Sequence, residues 1–284
     1  MNRPIIGLSS CGKRLNEELF ESYISSGITH MEISEGKSAC EVMEFDRIAE
    51  LAKNSGVTLW SFHLPFAPFS EIDISNPDLA RATVDYYLGL VKKASAIGIE
   101  KFIVHPSGEP ISPEDRPLRL ACAKEHLALL AQQAAELGAV ICVEDLPRTC
   151  LGNCSAEMLE LLSAHTALRS CFDTNHMLSE ELVSYANAVG DKIVTLHVSD
   201  YDFVNERHWL PGEGDVDWKE LYAAIRATGY SGPWLYELGF ECPATILRDR
   251  ALTCADFARN ANEIFEGKDL TVIARRKPNL GMWE

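Results

Sequence analysis

The chain has 284 residues, 46% of them hydrophobic and 24% charged, a balance that builds a large core and excludes a disordered chain. Forty-two acidic against 26 basic residues give a net charge of −16, so the average surface repels phosphate backbones and no nucleic-acid partner is expected. The apolar stretch at the N-terminus is too short for a secretory signal and no apolar run of about eighteen residues follows; the expectation is a soluble, cytoplasmic protein with no membrane partner.

In chain order, short β-branched runs alternate with longer segments of helical period. A strand is predicted at 4–8 and a helix at 15–26, then strand 29–33 and helix 41–54, strand 58–62 and helix 78–97, and strand 101–105 and helix 117–137. The second half continues with strand 140–144 and helix 155–164, strand 168–173 and helix 179–188, strand 193–197 and helix 217–228, and strand 233–237 and helix 244–264. Gly27, Gly56, Gly98, Gly138, Gly190 and Gly229 follow predicted helices where a left-handed residue ends them. Asp78 and Ser155 stand where N-caps open helices.

Eight such units of about 33 residues, with no Gly-rich dinucleotide fingerprint after the first strand, predict a single (β/α)₈ TIM barrel, an α/β fold, over 1–284. A doubly wound sheet is the alternative. Residues 265–284 read as a C-terminal extension, closing over the barrel or touching another subunit. Cys122, Cys142 and Cys171 sit in apolar runs, as buried reduced thiols do, and Cys150 and Cys154 read as part of a plain loop.

In such barrels the chemistry sits at the C-terminal ends of the strands. Here those ends read Glu32, His63, His105, Glu144, Asp173, His197 and Glu237. Any one of them alone is more often a cap, an ion-pair partner or a rim side chain; their convergence on one cavity is what points to function. Glu144, Asp173, His197 and Glu237 come from consecutive strands and offer three carboxylates and one imidazole, a set suited to Mn²⁺, Co²⁺, Zn²⁺ or Mg²⁺. His176 follows Asp173 by three residues, and the long segment after the seventh strand carries Arg207, His208, Gly212 and Gly214. Long βα loops are usually functional, although the glycines equally suit a turn that starts the next helix. Trp60, Phe62, Phe66 and Trp209 are candidates for stacking on the apolar face of a sugar, against the commoner role of core aromatics.

The segments FHLPF at His63, VHPSGEP at His105, VEDLP at Glu144, FDTNH at Asp173, LHVSDYD at His197, RHWLPGEGDVDW from Arg207 and YELGF at Glu237, in this order, resemble the xylose isomerase-like barrel superfamily in its sugar phosphate isomerase/epimerase branch. That resemblance implies a sugar or sugar phosphate isomerase or epimerase with one divalent metal on Glu144, Asp173, His197 and Glu237. It makes Glu144 and Glu237 the proton-transfer pair of an enediolate mechanism, places His63, His105, His176 and Arg207 against substrate, and implies homodimers or homotetramers. The same superfamily includes endonuclease IV, a zinc phosphodiesterase. Its pattern makes His63, His105 and His208 candidates for a second metal, with Glu206 where its third site has an aspartate; the acidic net charge speaks against DNA. An inosose dehydratase-like lyase shares the same early chemistry, and a degenerate barrel that binds without turnover is the non-enzymatic alternative.

Overall fold

A computed structural model describes residues 4–278, 280 and 281. Its frame is a ring of β1 (Ile6–Ser9), β2 (His30–Ser34), β3 (Thr58–His63), β4 (Lys101–Val104), β5 (Val140–Glu144), β6 (Arg169–Asp173), β7 (Ile193–His197) and β8 (Trp234–Tyr236). The strands pair in parallel in the order β7-β6-β5-β4-β3-β2-β1-β8. The two end strands then meet: Val198 N–H donates to the Leu235 carbonyl at 2.8 Å and Glu237 N–H to the Val198 carbonyl at 3.3 Å. The sheet is thereby closed into a barrel.

Around it lie α1 (Glu17–Ser25), α2 (Lys37–Glu41), α3 (Phe45–Ser55), α4 (Ala80–Ser95), α5 (Arg116–Ala135), α6 (Ser155–Leu162), α7 (Leu182–Val189), α8 (Trp218–Ala227) and α9 (Cys254–Phe265). In α3 the buried Phe45, Ile48, Leu51 and Ala52 follow the helical period and face the sheet. Gly56 ends that helix at φ 81° and donates to the Ala52 carbonyl. The other five punctuating glycines also have positive φ, where a Cβ would be strained.

Side chains two apart on a strand share a face. The pairs Ser61/His63, Ile103/His105, Cys142/Glu144, Cys171/Asp173 and Thr195/His197 therefore stack inside the barrel in two layers. Ile103, Cys142 and Cys171 pack as a separate small apolar cluster below the polar layer. The main core lies outside the ring, between strands and helices.

Several boundaries differ from expectation. The predicted helix 41–54 is two helices with a break at Val42–Glu44, after which Phe45 stacks on Phe62 at 6.0 Å. The predicted helix 244–264 begins at Cys254, because Thr253 and Asp256 close a capping box there. The residues before it form β9 (Ile246–Arg248), antiparallel to β10 (Ala274–Arg276) in the C-terminal extension. Arg276 of that extension donates to the Glu213 carbonyl at 2.7 Å and pairs with Asp215, so this part of the tail lies on the β7–α8 segment. Asp78 is not an N-cap, since α4 opens after Leu79 without a side-chain cap. Ser155 is the first residue of α6; its N–H and hydroxyl donate to Glu180 instead.

Candidate metal centre

The polar layer ends at the floor of a cavity of about 400 Å³ lined by His63, His105, Glu144, His176, His208 and Glu237, among others. His197 is the hub. Its Nδ1 lies 2.6 Å from Glu144 Oε1, 3.0 Å from Glu237 Oε2 and 3.9 Å from Asp173 Oδ2. One donor atom from each of Glu144, Asp173, His197 and Glu237 fits within a 4.8 Å span. On the far side of the ring, His197 Nε2 faces both Glu32 oxygens at 3.0 and 3.1 Å, and Ser61 donates to Glu32 at 2.7 Å. With Nε2–H donated to Glu32, the Nδ1 lone pair is aimed at the carboxylates, the orientation a metal-binding imidazole needs.

Asp173 supplies the test of fit. Asp145 accepts its backbone N–H at 2.8 Å, and its own Oδ1 accepts from Asn175 N–H at 2.7 Å. Its Oδ2 is buried and has no hydrogen-bond partner among the described residues. A buried carboxylate oxygen that accepts no hydrogen bond is costly even with the His176 ring nitrogen 3.5 Å away, and a divalent ion among these donors would satisfy it.

Without an ion, burial raises the Asp173 carboxyl above its usual range. Burial pushes Glu237 the same way, but the His197 ring overrides it and holds the carboxyl low. Burial disfavours the charge on His63, yet Glu144 beside it outweighs this and lifts its pKa to about 9. Opposing shifts among touching groups are what a multi-carboxylate, multi-imidazole site produces.

Two further donor groups border the first. Glu144 Oε2 lies 3.1 Å from His63 Nε2 and 3.0 Å from His105 Nε2. His176, Glu206 and His208 form the other, with His176 Nε2 3.2 Å from Glu206. The site residues named from sequence thus gather in one place, with one exception. Arg207 is turned away from the cavity lining: its Nε donates to Asp202 at 2.9 Å and its Nη2 to the Gly281 carbonyl at 2.7 Å.

The guanidinium that does line the cavity is Arg148, which sequence reasoning missed. It bonds Glu109 from the β4 loop, and Asn205 and Glu206 from the β7 loop at 2.6 and 2.8 Å. Arg148 and His208 both have positive φ, at 53° and 51°, a strain that folded surroundings must hold in place. Of the four aromatics considered for stacking, only Phe66 borders the cavity, 4.2 Å from the His105 ring centre. Phe62 and Trp209 are fully buried, and Trp60 lies against Lys101. Gly212 and Gly214 serve the turn: Gly212 N–H donates to Asp200 at 2.7 Å, and a Cβ on Gly214 would fall 1.9 Å from that carboxylate.

The profile of the xylose isomerase-like TIM barrel family matches residues 21–252. A fructoselysine 3-epimerase from Escherichia coli O157:H7 is 31% identical over 121 residues, 40% of this chain and 44% of that protein, so the match spans less than half of the relative. Among solved structures, a D-tagatose 3-epimerase-like protein superposes with TM-score 0.71 at 20% identity, covering 93% of this chain and 96% of the other. D-psicose 3-epimerase in the presence of D-fructose gives 0.72 at 20%, covering 84% and 86%. The 3-keto-D-glucoside 4-epimerase of E. coli gives 0.72 at 18%, covering 93% and 100%. At these identities the structural likeness establishes the fold.

Proposed function

The chain belongs to the xylose isomerase-like TIM barrel family, and from that premise we propose that it is a divalent-metal-dependent epimerase or isomerase of a free ketose. The observation that carries this reading is the convergence of Glu144, Asp173, His197 and Glu237, with one Asp173 oxygen buried and accepting no hydrogen bond among the described residues. Relatives named as ketose and keto-sugar epimerases support it.

These four residues would hold the ion. A bound divalent ion supplies Lewis acidity, which polarises a carbonyl and acidifies the neighbouring C–H. The chain's own groups do the rest. One of Glu144 and Glu237 takes the proton from that carbon, leaving an enediolate in the cavity. The other returns a proton, to the same carbon in epimerisation or to the former carbonyl carbon in isomerisation. His63 and His105, both on Glu144 Oε2, fix its second oxygen. Phe66 and Phe69 supply apolar wall.

The substrate is unphosphorylated in this reading. Among the described residues lining the cavity, Arg148 is the sole lysine or arginine, and Glu109 and Glu206 already hold it. Glu109 and Glu206 so neutralise the Arg148 charge that it offers a phosphate dianion little net attraction. A hydrolytic reading draws on the two extra donor groups, His63/His105/Glu144 and His176/Glu206/His208. The net charge of −16 weighs against a nucleic-acid phosphodiester.

The test is turnover of a panel of free ketoses by the Mn²⁺-loaded protein in D₂O, with product analysis separating epimer, aldose and dehydrated sugar. Conversion is expected with deuterium at the reacting carbon. Glu144→Gln and Glu237→Gln are each expected to lose on the order of 10²–10⁴-fold in kcat while folding normally. A Glu237→Gln protein of wild-type rate would sink the mechanism.

A further inference from the structure

Lys13, in the segment after β1, is buried, and its ammonium sends its protons to main-chain carbonyls: Ser9 at 2.9 Å, Cys11 at 3.1 Å and Leu238 at 2.8 Å. The Phe240 ring lies 4.9 Å away on another side. An ammonium taken out of water with main-chain carbonyls as its hydrogen-bond partners and the Glu237 carboxylate among the charges acting on it is costly, so a cage of this kind calls for a reason.

The reason lies in where the third carbonyl sits. The β1–β8 ladder ends at Leu8↔Tyr236, one residue short of Glu237. Beyond it the Lys13 tie joins the β1 loop to the β8 loop. Glu237 is consequently gripped from two sides. Its own N–H is held by Val198 after β7, and the carbonyl of the next residue, Leu238, is held by Lys13 after β1. A carboxylate just past a three-residue strand has little other backbone restraint, and small displacements at reacting groups are costly.

We propose that Lys13 is a positioning residue for Glu237, fixing the β8 end so that this carboxylate meets both the ion and the substrate. The inference rests on the reading of Glu237 as ligand and acid/base. Lys13 does not line the cavity and acts through the Leu238 peptide.

Three variants of the full chain test it: Lys13→Met, which keeps the stem and removes every donation; Lys13→Gln, whose amide keeps two N–H donors; and Glu237→Gln as reference. Each is titrated with Mn²⁺ in the absence of substrate, melted, and assayed for kcat and KM. Lys13→Met is expected to bind Mn²⁺ about tenfold more weakly, as loss of a ligand's supporting partner does. Its kcat falls at least tenfold with KM within about threefold, and Lys13→Gln lies between it and wild type. A purely structural lysine would move the melting midpoint and leave the kcat-to-KM split and Mn²⁺ affinity alone. If Glu237→Gln binds Mn²⁺ as wild type does, the ligand reading of Glu237 fails and takes this proposal with it. If Glu237→Gln is weakened while both Lys13 variants match wild type in affinity and kcat, the Lys13 proposal alone is overturned. Failure of both Lys13 variants to fold would make it a stability residue and also overturn the positioning role.

Discussion

Glu32 and His197 show how one contact sets the chemistry of a site. Both are fully buried inside the barrel, and the Glu32 carboxylate takes the His197 Nε2–H, leaving Nδ1 to face Glu144, Glu237 and Asp173. Glu32→Gln keeps the shape and removes the charge that fixes the ring. It is expected to fold and to weaken Mn²⁺ binding roughly 10–100-fold, measured by titration of the metal-free protein; unchanged affinity would remove Glu32 from the account. Read from sequence as a strand end, Glu32 is instead the middle residue of β2, paired with Ser61 below the His63 level, and its role was not legible, because sequence gives the face a side chain takes and not the neighbour it meets across a barrel. The same limit explains the arginines. Arg207 is adjacent to His208 in sequence, yet its side chain turns to Asp202 and Gly281, while Arg148, four residues past Glu144, swings into the cavity in a left-handed conformation that no spacing announces.

Among the elements, the strands were the most legible. β5 and β7 match the expected 140–144 and 193–197 to the residue, because polar strand ends two residues beyond an apolar or small inward residue mark both the face and the stop. α9 was the least legible. Apolar residues from 244 onward suggested one long helix, but Ile246 belongs to a ribbon completed by residues about thirty positions later, a long-range pairing that local periodicity cannot reveal. The true start of α9 is fixed by Asp256, which accepts from Thr253 N–H and hydroxyl and from Arg250 and Arg259. Arg250 foremost, with Thr253, holds the Asp256 carboxyl well below its usual range. A depressed carboxyl contributes stability that is present above the unfolded-state pKa of about 3.9 and is lost as pH falls through the lower folded value. Asp256→Ala is therefore expected to cost about 2 kcal/mol at pH 7, a drop in melting midpoint of roughly 5 °C. The deficit should narrow below about pH 4 without vanishing, since a protonated Asp256 still accepts hydrogen bonds. A deficit that is the same at pH 7 and in acid would show that the charge contributes nothing.

For the molecule as a whole, closure of the ring is what makes the site. β5 to β8 carry the four donors, and the Val198 bridges to β8 bring the Glu237 end of the series against the His197 end. In an open sheet β7 and β8 would lie at opposite edges of the same strand order and the four could not converge. No helix among the described residues is long and apolar enough to cross a membrane. Eightfold alternation and the polar residues at the strand ends made the barrel and the cluster at its mouth legible from sequence; the cavity wall was not, because it includes loop contacts such as Glu109–Arg148–Glu206, joining three separate βα loops.

Elemental analysis of the purified protein, before and after chelation and on reconstitution with Mn²⁺, Co²⁺ or Zn²⁺, decides whether Glu144, Asp173, His197 and Glu237 hold a single catalytic divalent ion, as proposed. About one exchangeable ion per chain is expected, lost in Asp173→Asn with the fold intact. Two or three tightly held zinc ions per chain, or no ion under any condition, would contradict it.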